Sequence, residues 1–129
     1  MKYLLDTCAL IWLVNGDSQL SPEAMRLCAD PESHLFVSAV SAWEIALKAA
    51  GRKLSLPLPP EVWWRRALDH HELGELPITS RVAMAAAALE AIHNDPFDRV
   101  LIATAAEYDL RVLTPDRVIS RYRNVGVVW

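Results

Sequence analysis

Short apolar runs recur along this chain at Tyr3–Leu5, His34–Val37, Arg111–Leu113 and Val125–Val128, and long stretches with helical signals separate them. Parallel strands need connections of a dozen residues or more, so this alternation favours a mostly parallel sheet covered by helices on both faces. The helix signals are local. Asn15-Gly16-Asp17-Ser18 closes a helix running from Thr7 to about Val14, and Ser21-Pro22-Glu23 opens a second one reaching about Asp30. Ser38 or Ser41 opens a helix through Ala50, closed by Gly51. After a proline-bearing stretch from Leu54 to Pro60, residues 61–71 read as a helix with Val62, Trp63, Ala67 and Leu68 as its apolar stripe. Leu76-Pro77-Ile78 is a short strand candidate suited to an edge or a strand start. Thr79 or Ser80 caps an alanine-rich helix to about Ile92, and Phe97–Tyr108 is apolar nearly all round, so it is expected to be buried on several sides. A short helix or turn follows from Pro115 to about Arg121. The reading is an α/β fold with a central sheet of four to five strands, in a single domain spanning 1–129 without repeat or linker.

At 129 residues the chain can bury a real core, and 53% hydrophobic with 22% charged residues is a globular composition. A formal net charge of −3 argues against coating nucleic acid by bulk positive charge. It leaves room for a nuclease whose acidic pocket needs a cation before it accepts phosphate. Cys8 and Cys28 form no CxxC pair, and reduced, partly buried thiols in a cytoplasmic protein are expected. Met1-Lys2 leads straight into a strand pattern with no leader, and no apolar run approaches the ~20 residues of a membrane span.

The chemistry lies in the acids. Asp6 ends the first strand, Glu44 lies in the first turns after the second, Asp98 begins the helix leading into the Val112 strand, and Asp116 follows that strand. Helices in such a fold run antiparallel to the strands, so all four fall at the carboxyl edge of the sheet, where open α/β sheets place their ligands. Each has a structural explanation on its own. Asp95-Pro96-Phe97-Asp98 and Thr114-Pro115-Asp116 are helix starts, Ser41 to Glu44 matches a capping box, Glu44 can pair with Lys48, and Asp6 can cap the helix at Thr7. Capping does not explain why the convergent positions are all carboxylates, since Ser, Thr or Asn would cap as well. Clustered carboxylates repel and raise one another's pKa, and a hard divalent cation such as Mg²⁺ or Mn²⁺ relieves that repulsion. Such sites serve phosphoryl-transfer chemistry.

The segments Tyr3-Leu4-Leu5-Asp6-Thr7, Val37-Ser38-Ala39-Val40-Ser41-Ala42-Trp43-Glu44-Ile45, His93-Asn94-Asp95-Pro96-Phe97-Asp98-Arg99 with Leu101-Ile102-Ala103, and Leu113-Thr114-Pro115-Asp116 resemble the PIN domain. The closer resemblance is to the VapC-type ribonuclease toxins of type II toxin–antitoxin pairs. Their order and spacing cover nearly the whole chain. The resemblance implies a three-layer α/β/α sandwich, a Mg²⁺- or Mn²⁺-dependent endoribonuclease acting on RNA, a homodimer, and inhibition by a cognate antitoxin. Carried onto this sequence, the family's acidic quartet is Asp6, Glu44, Asp98 and Asp116, with Asp95 an extra acid of this branch that suits a helix cap or an accessory role.

Within that expectation Asp6 and Asp98 are the first candidates to hold the cation, and Glu44 and Asp116 are expected to bind a second ion, orient water or accept its proton. Thr7 and Thr114, beside two of the acids, suit either water orientation or capping. Arg99 suits either a phosphate contact or an ion pair with a neighbouring acid. Arg117, Arg121 and Arg123 form a basic cluster near Asp116 that is either solvated surface or a phosphate contact. His93 is the nearest histidine and reads chiefly as a structural residue before a helix. Of the five tryptophans, adjacent Trp63 and Trp64 cannot share one helix face, which leaves one for a partner surface. Two rivals remain. A haloacid-dehalogenase-type phosphatase wants a second Asp two residues after the strand-one Asp, where Cys8 stands. A non-catalytic RNA-binding scaffold would be favoured by a missing quartet acid, and none is missing.

Overall fold

A computed structural model describes all 129 residues. The elements run β1 (Lys2–Leu5), α1 (Thr7–Asn15), α2 (Pro22–Ala29), β2 (His34–Ser38), α3 (Ala39–Ala50), α4 (Pro60–His71), β3 (Gly74–Leu76), α5 (Ser80–Ala88), α6 (Pro96–Tyr108), β4 (Arg111–Leu113), a 3₁₀ turn (Ile119–Arg121) and β5 (Val127–Val128). The five strands form one sheet in the order β3-β2-β1-β4-β5, and every pairing is parallel. Leu4 of β1 aligns with Phe36 of β2 on one side and Val112 of β4 on the other.

Strand alternation splits the core into two layers. Tyr3, Leu5, Leu35, Val37 and Leu113 face one side, where they meet Leu10, Ala24, Leu27, Trp63 and Ala67 from α1, α2 and α4. Leu4 and Val112 face the other, against Leu101, Ile102, Ile119 and Tyr122. Helix α3 serves both layers, with Ile45 in the first and Val40 in the second. Helix α5 packs on α6 through Val82, Ala86 and Ala103. The chain is therefore an α/β/α sandwich, with the centre of α6 buried as its composition predicts: Leu101 to Ala105 are all buried. No helix is long and apolar enough to cross a membrane.

Local signals set most boundaries. Ser21 accepts from the Ala24 amide, Thr79 from Val82 and Asp95 from Phe97, and Gly16 closes α1 in the left-handed conformation at φ 62°. Several expectations shift. The edge strand lies at Gly74–Leu76 rather than 76–78, because Leu73 is drawn into the core and Pro77 cannot donate to the ladder. Gly74 is required there: a Cβ would stand 2.8 Å from the Phe36 ring. Helix α5 stops at Ala88 rather than near Ile92. The last strand shrinks to two residues, while the segment after Thr114 forms the expected short turn, a 3₁₀ turn at Ile119–Arg121. On α4, Trp63 and Ala67 are buried while Val62 is exposed, so the apolar stripe is narrower than expected.

Candidate functional site

The strand order reverses between β1 and β4, and the two strands end side by side. The Asp6 amide donates to the Leu113 carbonyl at 3.1 Å across that junction. This is the topological switch point at which doubly wound sheets open a crevice. A cleft of about 310 Å³ opens there, lined by Asp6, Thr7, Cys8, Ile11, Glu44, Lys48, Asp95, Asp98, Pro115 and Asp116. All four acids of the expected quartet meet in it. A larger groove of about 670 Å³, lined by Val14, Leu58, Trp63, Arg66 and their neighbours, contains none of the quartet. Chemistry rather than volume identifies the site.

Each acid is held differently. Asp6 is buried at the start of α1, where Oδ1 accepts from the Ala9 amide at 2.8 Å and from the Cys8 thiol at 3.1 Å, and Oδ2 accepts from the Thr114 hydroxyl. Burial raises its pKa, and these three hydrogen bonds oppose the rise. Asp6 thus caps α1, as its position suggests, and still lines the cleft.

Glu44 is 7% exposed. Its Oε2 takes a 2.6 Å salt bridge from Lys48, one turn along α3, while its Oε1 is buried without any partner. The capping-box reading of Ser41 to Glu44 does not hold. Ser38 caps α3 by accepting from the Val40 amide, and the Ser41 hydroxyl instead bonds Thr7 at 2.9 Å beneath the cleft. Thr7 therefore joins α1 to α3, and Thr114 joins β4 to Asp6. Both threonines act on structure that supports the acids.

Asp98 sits in the first turn of α6, and burial, together with the negative charges of Asp95, Glu44 and Asp116, lifts its carboxyl to about 7, with His93 opposing. Burial also works to raise Asp116, but hydrogen bonds from His93 and the Val118 amide outweigh it and leave that carboxyl below the usual value. Asp95 accepts from the Phe97 amide at 2.9 Å, so it caps α6, and it also reaches the cleft wall.

Two residues differ from expectation. Arg99 contacts neither an acid nor open cleft. Its guanidinium donates to the carbonyls of Ala87, Leu89, Glu90 and His93 at 2.9–3.4 Å, which explains why α5 ends early. His93, read mainly as structural, places Nε2 3.1 Å from Asp98 and 2.9 Å from Asp116. Tyr122 carries no sequence signal of a site role, yet its hydroxyl accepts from the His93 amide and donates to the Glu90 carbonyl. Arg117, Arg121 and Arg123 are exposed and make no salt bridge, as a solvated or phosphate-facing cluster requires. The exposed tryptophan is Trp43, 58% accessible and packed edge-on to Phe97. Trp63 is buried, and Trp64 donates to Glu75.

The donor set fits a hard cation. The acids offer only oxygen, they come from four separate segments of the chain, and Glu44 Oε1 is a buried carboxylate oxygen with no hydrogen-bond partner. Burial and the neighbouring Asp6 push the Cys8 thiol far above its ordinary pKa, and its hydrogen is given to Asp6 Oδ1.

Comparison with known proteins agrees with this geometry. The PIN-domain family model matches residues 3–125. Ribonuclease VapC22 of Mycobacterium tuberculosis (strain ATCC 25618 / H37Rv) is 31% identical over 122 residues, covering 94% of this chain and 92% of the relative. Among solved structures, VapBC2 of Rickettsia felis bound to a promoter DNA fragment superposes with TM-score 0.75 at 13% identity, covering 99% and 98% of the two chains. DNA-bound VapBC of Salmonella typhimurium gives 0.68 at 19%, covering 99% and 97%. FitAcB of Neisseria gonorrhoeae gives 0.64 at 23%, covering 98% and 96%. At these identities the solved structures show a shared fold.

Proposed function

The chain belongs to the PIN-domain family, and from that membership we propose that it is an endoribonuclease dependent on Mg²⁺ or Mn²⁺, the toxin of a type II toxin–antitoxin pair. In this reading it is a homodimer held inactive by a cognate antitoxin protein. The observation that carries it is the convergence of Asp6, Glu44, Asp98 and Asp116 on one cleft, with Glu44 Oε1 buried and unpartnered. The ribonuclease name of the mycobacterial relative and the toxin–antitoxin complexes among the structural neighbours support the same reading.

Asp6 and Asp98 would hold the cation, with Glu44 and Asp116 completing the site. Bound there, a divalent cation would polarise a non-bridging phosphate oxygen and make water nucleophilic at neutral pH. The chain's own residues supply orientation. Ala9 and Cys8 fix the Asp6 carboxylate at Oδ1 and Thr114 fixes it at Oδ2, and Oδ2, with that single hydrogen bond, keeps a second lone pair. Lys48 holds Glu44 by one oxygen and leaves the other for the cleft. In the metal-free protein burial and the neighbouring acids raise the Asp98 carboxyl to about 7, a cost of gathering these charges that a bound cation would offset. The exposed Trp43 and Leu47, one turn apart on α3, leave apolar surface beside the site for a protein partner.

Incubating the purified chain with RNA, then with EDTA, then with Mg²⁺ or Mn²⁺ restored, tests the reading. Cleavage is expected to stop with EDTA and return with metal, and cleavage undiminished by EDTA would overturn it. The phosphatase reading lacks its second acid, since Cys8 donates to Asp6 in that place.

A further inference from the structure

We propose that His93 is a positioning residue for cation binding: its Nε2–H holds the Asp116 carboxylate by a hydrogen bond and stands 3.1 Å from the Asp98 carboxylate, so that the ring sets the spacing of the two acids and is not itself a ligand. The proposal rests on the metal-dependent reading above.

His93, Asp98 and Asp116 offer ligand atoms within 4.8 Å of one another, which at first suggests a three-residue metal site. The other ring nitrogen argues otherwise. Nδ1 accepts from the Asp95 amide at 3.1 Å, so it carries no hydrogen, and the ring's proton lies on Nε2. A nitrogen bearing a proton has no lone pair for a cation. Moving the proton to Nδ1 would set that N–H against the Asp95 N–H, and the Asp95 backbone is fixed because its own side chain caps α6. In this geometry Nε2 donates to Oδ2 of Asp116 at 2.9 Å and lies 3.1 Å from Oδ2 of Asp98, within ion-pair distance.

The loop that carries the ring is tied down. Tyr122, 4% exposed, holds the His93 amide at 2.8 Å and the Glu90 carbonyl at 2.9 Å. Arg99 holds the carbonyls of Glu90 and His93 at 3.0 and 3.1 Å. The ring is therefore delivered to the acids by two residues outside the cleft. Asp116 is gripped at both oxygens, Oδ1 by the Val118 amide and Oδ2 by His93. Asp98 receives only the His93 contact and keeps Oδ1 for a ligand. Without the ring the two carboxylates would lose the one group that stands within 3.1 Å of both. Groups that orient a metal's carboxylates this way are commonly worth about 10- to 100-fold in affinity.

Two substitutions separate this role from loop support. Asn in place of His93 retains an acceptor near the Nδ1 position and has no donor that reaches the acids. Gln extends an amide N–H toward the Nε2 position. Mn²⁺ is titrated into the metal-free full chain and followed by loss of the free-ion electron paramagnetic resonance signal, with circular dichroism confirming the fold of each variant. The wild type and Asp98→Asn form the reference pair. His93→Asn is expected to weaken Mn²⁺ binding by about tenfold or more, with His93→Gln recovering part of the loss. Equal binding by wild type and His93→Asn, tighter binding by His93→Asn, or equal losses in both variants would overturn the proposal. A directly coordinated ¹⁴N coupling in bound Mn²⁺ would do the same. Asp98→Asn binding Mn²⁺ as well as wild type is a different failure: it removes the metal site itself, and with it the premise.

Discussion

At Asp98 the conflict between burial and charge is sharpest. Its carboxyl rises from 3.8 to about 7 through burial and then through the charges of Asp95, Glu44 and Asp116. Between those two values the native protein retains a proton that the unfolded chain releases. The metal-free protein should therefore lose stability as pH rises through that window, because the unfolded state binds fewer protons there. Replacing Asp98 with Asn removes the titration while keeping the shape of the side chain. Thermal melts of metal-free protein at about pH 5 and about pH 8 should show a smaller decline for Asp98→Asn than for wild type, and matching declines would mean that Asp98 is not the strained acid. The same variant should lose roughly a hundredfold or more of its RNA cleavage, the scale on which loss of one charge-stabilising contact is felt. Retained cleavage at limiting Mg²⁺ would reduce Asp98 to a helix-start residue. Asp95→Asn should be milder, since Asn also caps helices and the Asp95 contact seen is a cap.

Among the elements, the α5–α6 connection decides how the acidic helix is presented. Arg99 donates to four carbonyls of the segment that leaves α5, and only a planar, multi-donor guanidinium can span them. Arg99→Lys should lower the urea midpoint by an amount corresponding to about 1.5–3 kcal/mol, the range for hydrogen bonds to a charged group. If Arg99 instead contacted phosphate, stability would hold while RNA affinity lost salt dependence, so the two measurements together assign it. From the sequence alone Arg99 suits either an acid or a phosphate, because its carbonyl partners carry no residue-type signature. The edge strand teaches the same lesson. Gly74 is demanded by the Phe36 ring beside it, a neighbour supplied by a strand more than thirty residues away in the chain.

For the whole molecule, the acids couple folding to cation binding. A ligand that binds the native cleft and not the unfolded chain stabilises by linkage, about 2.7 kcal/mol at a hundredfold excess over its dissociation constant. For a domain of this size that is a rise of several degrees in melting temperature. Mn²⁺ should raise the melting midpoint in a saturable way, Asp6→Asn should blunt the rise, and monovalent salt at matched ionic strength should not reproduce it. Identical shifts in both proteins would show that the acids share no cation. The homodimer can be checked separately by sedimentation of the purified chain, where a monomer at micromolar concentration would remove that part of the proposal.

Strand and helix periods, caps and glycine stops act over a few residues, so the sequence by itself determined the order of elements, the parallel sheet, the burial of α6 and the edge on which Asp6, Glu44, Asp98 and Asp116 fall. It also offered Asp95 as a cap of α6, because Asp-Pro at a helix start is a local signal, and the structure shows that cap. What depends on residues distant in sequence was left to the tertiary structure. The reversal between β1 and β4 brought Thr114 to Asp6, a pairing across 108 positions. Packing of the last segment against α6 placed Tyr122 under His93 and set the ring of a loop histidine within 3.1 Å of two acids. The short strand at Gly74 and the early end of α5 likewise follow from Phe36 and Arg99, since a weak local preference yields wherever a tertiary contact satisfies the backbone better.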